Sequence, residues 1–76
     1  MVYVKFLGPL STLMPETNED GFWATDAANK TISSVLSQFD FKNIIYITLI
    51  NNMREDIDYV LQDGDKLSVM PTLGGG

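Results

Sequence analysis

The last sixteen residues, Leu61 to Gly76, constrain this chain more than any other stretch. They read LQDGDKLSVMPTLGGG: an acidic turn, a short alternating strand, one proline and three glycines. In Asp63-Gly64-Asp65, the glycine takes positive φ without strain and the aspartates can accept from nearby backbone amides. From Lys66 to Met70 the pattern alternates. Leu67 and Val69 lie on one face; Lys66, Ser68 and Met70 lie on the other, as in a half-buried strand. Pro71 has no amide donor and is expected to stop the ladder there. Thr72 to Gly76 has no periodicity and little side chain to pack. The chain therefore divides into a folded domain over residues 1–70 and a flexible glycine-rich tail over 71–76. Extended at about 3.3–3.6 Å per residue, that tail reaches roughly 20 Å.

Glycine has no Cβ, so such a tail can thread a narrow channel. The α-carboxyl of Gly76 is ionised at neutral pH. An ionised carboxylate can attack an activated phosphate but is a poor electrophile. For chemistry at that carbon, a partner must first adenylate it.

The rest of the chain reads as a small handle. Val2 to Leu7 alternates, with Val2, Val4 and Phe6 on one side and Tyr3, Lys5 and Leu7 on the other. Gly8-Pro9 breaks this strand. Leu10 to Met14 suits either a short helix or an ordered loop, and Pro15 to Gly21 reads as a polar surface loop. Phe22 to Thr25 reads as a second strand, antiparallel to the first; which of Phe22 and Trp23 faces the core is open. Ile32, Val35, Leu36 and Phe39 form one apolar stripe, which predicts a helix over Thr31 to Phe39 capped by Asn29 or Thr31. Ile44 to Ile50 is the strongest β segment and is apolar on both faces, so its outer face too is expected to be covered, by loops or by a partner. Asn51-Asn52 turns the chain, and Tyr59 to Leu61 fits a short helical turn. The order β, β, α, then at least two strands predicts an α+β fold with the helix across one sheet face.

Seventy-six residues make one domain with a thin core. The chain has no cysteine and no histidine, so disulfides, thiolate metal sites and serine–histidine or cysteine–histidine chemistry are excluded within it. Ten acidic residues against five basic give a net charge of −5. That disfavours nucleic acid and anionic membranes and fits a partner with a positive docking surface. No apolar run is long enough to span a membrane and no signal-peptide pattern is present, so a cytoplasmic location is expected.

The run L-x-D-G-D-x-L-x-V-x-P followed by a Gly-Gly end resembles the close of the ubiquitin-like sulfur carriers of the MoaD/ThiS family, nearest to the small subunit of molybdopterin synthase. Leu61, Asp63, Gly64, Asp65, Pro71, Gly75 and Gly76 carry the likeness, and Val2 to Phe6 and Thr31 to Leu36 fit it. The resemblance implies a β-grasp fold: a mixed sheet of four to five strands, its first and last strands parallel at the centre, with one main helix across one face. It implies that Gly76, preceded by Gly75, is adenylated and then converted to a thiocarboxylate. The activating partner would be an adenylyltransferase of the MoeB/ThiF type using Mg-ATP. Sulfur would come from a donor such as a cysteine desulfurase or rhodanese. The acceptor would be the large molybdopterin synthase subunit (MoaE-like) or, in the ThiS case, thiazole synthase. The chain itself would bind no cofactor or metal and act as a co-substrate rather than an enzyme. Expected partner contacts are the tail residues Pro71, Thr72, Leu73 and Gly74, together with the sheet face of Tyr3, Lys5, Ser68 and Met70. Two other readings use the same residues: a protein modifier joined to lysines through Gly76, and a binding module whose tail is inert.

Overall fold

The computed structural model describes residues 1–72. Five strands, β1 (Val2–Phe6), β2 (Trp23–Thr25), β3 (Tyr46–Ile50), β4 (Met53–Arg54) and β5 (Lys66–Pro71), form one sheet in the order β2-β1-β5-β3-β4. The first and last strands pair in parallel, Tyr3 opposite Lys66 and Phe6 opposite Val69. The other pairings are antiparallel, so the sheet is mixed and the architecture α+β. β5 lies at the centre because its alternate residues Leu67 and Val69 are fully buried.

One helix, α1 (Ile32–Leu36), covers one face. Thr31 caps it, its hydroxyl accepting from the Ser34 amide at 3.1 Å. The helix stops three residues short of the expected Phe39. Serines at 33, 34 and 37 are weak helix formers, and the Ser37 hydroxyl bonds back to the Ser34 carbonyl at 2.8 Å. Phe39 still packs inward, its ring edge-on to Phe6 at 5.0 Å and to Trp23 at 5.6 Å. That settles the second strand: Trp23 faces the core, and Phe22 precedes the strand and turns the other way. Val2, Val4, Phe6, Leu67, Val69 and Ile50 complete the covered face.

Several local expectations shift by a few residues. Gly8–Leu13 is a 3₁₀ helix, entered through Pro9 and anchored by fully buried Leu10. β3 begins at Tyr46 rather than Ile44, because the chain turns through Lys42 and Asn43, both at positive φ. Asn51 and Asn52 also have positive φ, the geometry of a two-residue hairpin turn, and they return the chain into the short edge strand β4. Tyr59 to Leu61 is extended rather than helical. Val60 bridges Thr31, and Leu61 exchanges backbone hydrogen bonds with Asn29 and Lys30 at 2.8 Å, tying this segment to the start of α1.

Candidate functional site

Both ends of β5 are held, by different means. At its start Asp65 is buried, with its carboxylate accepting from the Gln62 amide at 2.8 Å, the Asn51 side-chain amide at 3.0 Å and the Tyr59 hydroxyl at 3.1 Å. These bonds join the turn before β5, the β3–β4 hairpin and the loop after β4. Partial desolvation, and then the hydrogen bond to Asp65, raise the Tyr59 pKa above its ordinary value. Asp63 points outward instead. The Met1 ammonium donates to its carboxylate and holds its pKa below the ordinary aspartate value.

At the other end β5 includes Pro71 as its last residue, and one backbone bond follows it, so the proline does not end the pairing with β3 at once. Tyr46 pairs with Pro71, and the Thr72 amide donates to the Ile45 carbonyl at 2.9 Å. The register gives the reason. Even-numbered residues of β5 bond to β3, as the Asn51 amide does to the Lys66 carbonyl at 2.9 Å. The nitrogen of Pro71 therefore faces the β1 side, where the last bond is from the Leu7 amide to the Val69 carbonyl. Beyond it β1 has already left the sheet, so the donor that proline lacks has no acceptor waiting. Gly8, at φ +59°, makes the corner; a Cβ there would sit 3.3 Å from the Pro71 ring. The root of the tail is thus Thr72. Leu73, Gly74, Gly75 and Gly76 lie outside the described residues.

The sheet face away from α1 carries the other expected contacts. Tyr3, Lys5, Ser68 and Met70 are all half-buried there, as alternation requires. The pairing register aligns them in rows. Nearest the tail root lie Thr72 with Ile45, then Met70 with Ile47. Next come Lys5, Ser68, Leu49 and Arg54, and last Ala24, Tyr3 and Lys66. The apolar end therefore adjoins the tail; Ile45 is 60% exposed beside it. On the open face of this segment Ile47 and Leu49 are half-buried and Ile45 is exposed, so no loop among the described residues covers it fully.

Three contributors to this face lie outside the expected set of contacts. Lys66 sits on it by the same count that placed Ser68 and Met70. Arg54 reaches it only through the β3–β4 pairing, which the exposed dipeptide Met53-Arg54 does not announce. Phe22 lies beside it, with the Lys5 ammonium 4.5 Å and the Lys66 ammonium 5.7 Å from its ring centre. Among the described residues no group of three histidine, cysteine or carboxylate side chains is placed to hold a metal ion. No family model, no curated protein and no solved structure matches the chain.

Proposed function

We propose that this chain is a ubiquitin-like sulfur carrier of the MoaD/ThiS type, working on a β-grasp body and through the carboxylate of Gly76. The observation that carries the reading is the position of β5. The strand that leads into the tail is the central one of the sheet, paired on both sides, with β3 through Pro71, and Thr72 adds one more backbone bond to it. A reactive end is best presented from a rigid root, because little conformational freedom is then left to lose when the partner captures it. The parallel pairing of first and last strands and the one helix on one face also suit the β-grasp reading.

The chemistry follows from what the chain has and lacks. Without cysteine it cannot hold a side-chain persulfide, so carried sulfur must sit on the terminal acyl carbon. In an activating enzyme related to those of ubiquitin, the Gly76 carboxylate attacks the α-phosphorus of Mg-ATP and pyrophosphate leaves. The acyl adenylate is then an electrophile. A donor persulfide displaces AMP, and a thiol cleaves the resulting acyl disulfide to leave the thiocarboxylate. Molybdopterin synthesis is the preferred destination, from the acidic turn and Pro71; the thiazole of thiamine is the alternative. The apolar strip of Ile45, Ile47 and Met70 beside the tail root is where the receiving enzyme docks.

The test uses the full chain incubated with host extract, Mg-ATP and cysteine as sulfur source, read by intact mass. The wild-type chain should exchange one oxygen for sulfur at its last residue. Gly76→Leu should fold normally and stay unconverted. Equal conversion of that variant, or sulfur located on an internal residue, overturns the proposal. Conjugates to lysines that depend on Gly76, with no thiocarboxylate, would instead mark a protein modifier.

A further inference from the structure

The net charge of −5 points toward a positive partner, but charge is not spread evenly over the molecule. Three of the five basic residues, Lys5, Lys66 and Arg54, fall on the open sheet face by register, and no strand residue of that face is acidic. Two of them converge. The ammonium groups of Lys5 and Lys66 both stand within cation–π range of one ring, that of Phe22. Among the described residues neither ammonium is in an ion pair; the ion pairs there are Met1 with Asp63 and Lys42 with Asp40. Beside the ring lies a cavity of about 390 Å³ lined by Tyr3, Asn18, Asp20, Phe22 and Lys66. Asp20 is the one carboxylate in its wall.

Two like charges near one ring are unfavourable for each other, and an anion in the cavity beside the ring, at Lys66, lessens that cost. An aromatic ring to pack an apolar stem, a tyrosine and the Lys66 ammonium in the wall, with the Lys5 ammonium at the same ring, suit a carboxylate carried on an apolar stem. The remainder of the face is graded, cationic at Lys66 and apolar at Ile45. Six residues of strand separate Lys66 from Thr72, about 20 Å.

We propose that the open face docks a partner protein whose matching surface is apolar next to the channel that takes the tail and acidic about 20 Å from it, with a glutamate or aspartate side chain entering the cavity beside Phe22, its stem against the ring and its carboxylate at Lys66 in the field of Lys5. The sign is opposite to the one the whole-chain charge suggests. The inference rests on the carrier reading for the partner's role, since the apolar end of the face is the end beside the tail. Electrostatic matching of this kind raises the rate of encounter and rejects wrong partners more than it adds affinity.

The probe is a pair of short blocked peptides, one alternating glutamate with leucine and the other glutamine with leucine. Each is titrated into the labelled full chain, and binding is read from backbone amide shifts. The glutamate peptide should move the amides of Tyr3, Lys5, Phe22 and Lys66 with a Kd of about 1 mM or tighter. The glutamine peptide should bind about tenfold more weakly. The Lys5→Gln/Lys66→Gln double variant, shown by its other amides to be folded, should lose that preference. Equal binding of the two peptides, shifts confined to other surfaces, a preference that survives in the double variant, or no binding of either peptide overturns the proposal. A chain lacking Gly75 and Gly76 should bind as the full chain does. Failure of peptide recognition therefore strikes the docking inference alone, and failure of sulfur transfer with recognition intact strikes the carrier reading alone.

Discussion

The two faces of the sheet use the same strands differently, and the neighbours Asp65 and Lys66 show how. Asp65 turns toward the covered side and its carboxylate is committed to three internal hydrogen bonds. Lys66 turns the other way, and its charge meets an aromatic ring and open space. The same contrast holds for Leu67 and Val69, fully buried, against Ser68 and Met70, half-exposed. One face is occupied with holding the fold. The other is left with unpaired charge and uncovered apolar surface, which is what a recognition surface needs.

The comparison can be broken from the covered side first. Leu67→Ala removes a fully buried side chain from the central strand and should cost about 3 kcal/mol. A domain of this length is worth only about 4–11 kcal/mol in total, so urea titration should show a large fall in midpoint. Next comes Asp65→Ala, which leaves Asn51 and Tyr59 without their acceptor and should cost about 2 kcal/mol by the same measurement. If either variant unfolds with the wild-type midpoint, the covered face is not the source of stability. On the open side, Ile45→Ser should change stability by less than about 0.5 kcal/mol, because the side chain is already largely in water. Its effect should appear instead as about tenfold slower sulfur delivery to the receiving enzyme, in the range expected of an interface anchor.

The smallest effects are those of pH, and they have opposite signs. The Asp63 carboxyl is lowered by the Met1 ammonium, so its contribution is present above the ordinary aspartate pKa of 3.8 and fades as pH falls below it. Tyr59 is raised, so its contribution is present below the ordinary tyrosine pKa of 10.0 and fades as pH rises above it. Asp63→Asn should flatten the acid limb of a midpoint-against-pH curve, and Tyr59→Phe the alkaline limb.

Most of the covered face was legible before any coordinates. Period-two alternation in Val2-Val4-Phe6 and in Leu67-Val69, and the stripe Ile32-Val35-Leu36, report burial directly, and each was found buried. What stayed hidden depends on which strand lies beside which. Pro71 reads as a stop because it lacks a donor, yet the missing donor points to a side where no acceptor remains. Gly8 reads as a breaker, while its closer role is to let the chain pass the Pro71 ring. On the open face, Tyr3, Lys5, Ser68 and Met70 follow from alternation. Their grading from cationic to apolar needs the register between β1, β5 and β3, and Arg54 needs the pairing of a two-residue strand that no pattern reveals.

The central claim concerns the last acyl carbon, and the intact mass of the chain isolated from its own host, under conditions that spare thioacids, tests it most directly. The account predicts a chain ending at Gly76, part of which has sulfur in place of one carboxylate oxygen, with fragmentation placing the sulfur on that glycine. A chain that continues beyond Gly76 without being cleaved there, or one that ends there but never carries sulfur while its pathway is active, would contradict it.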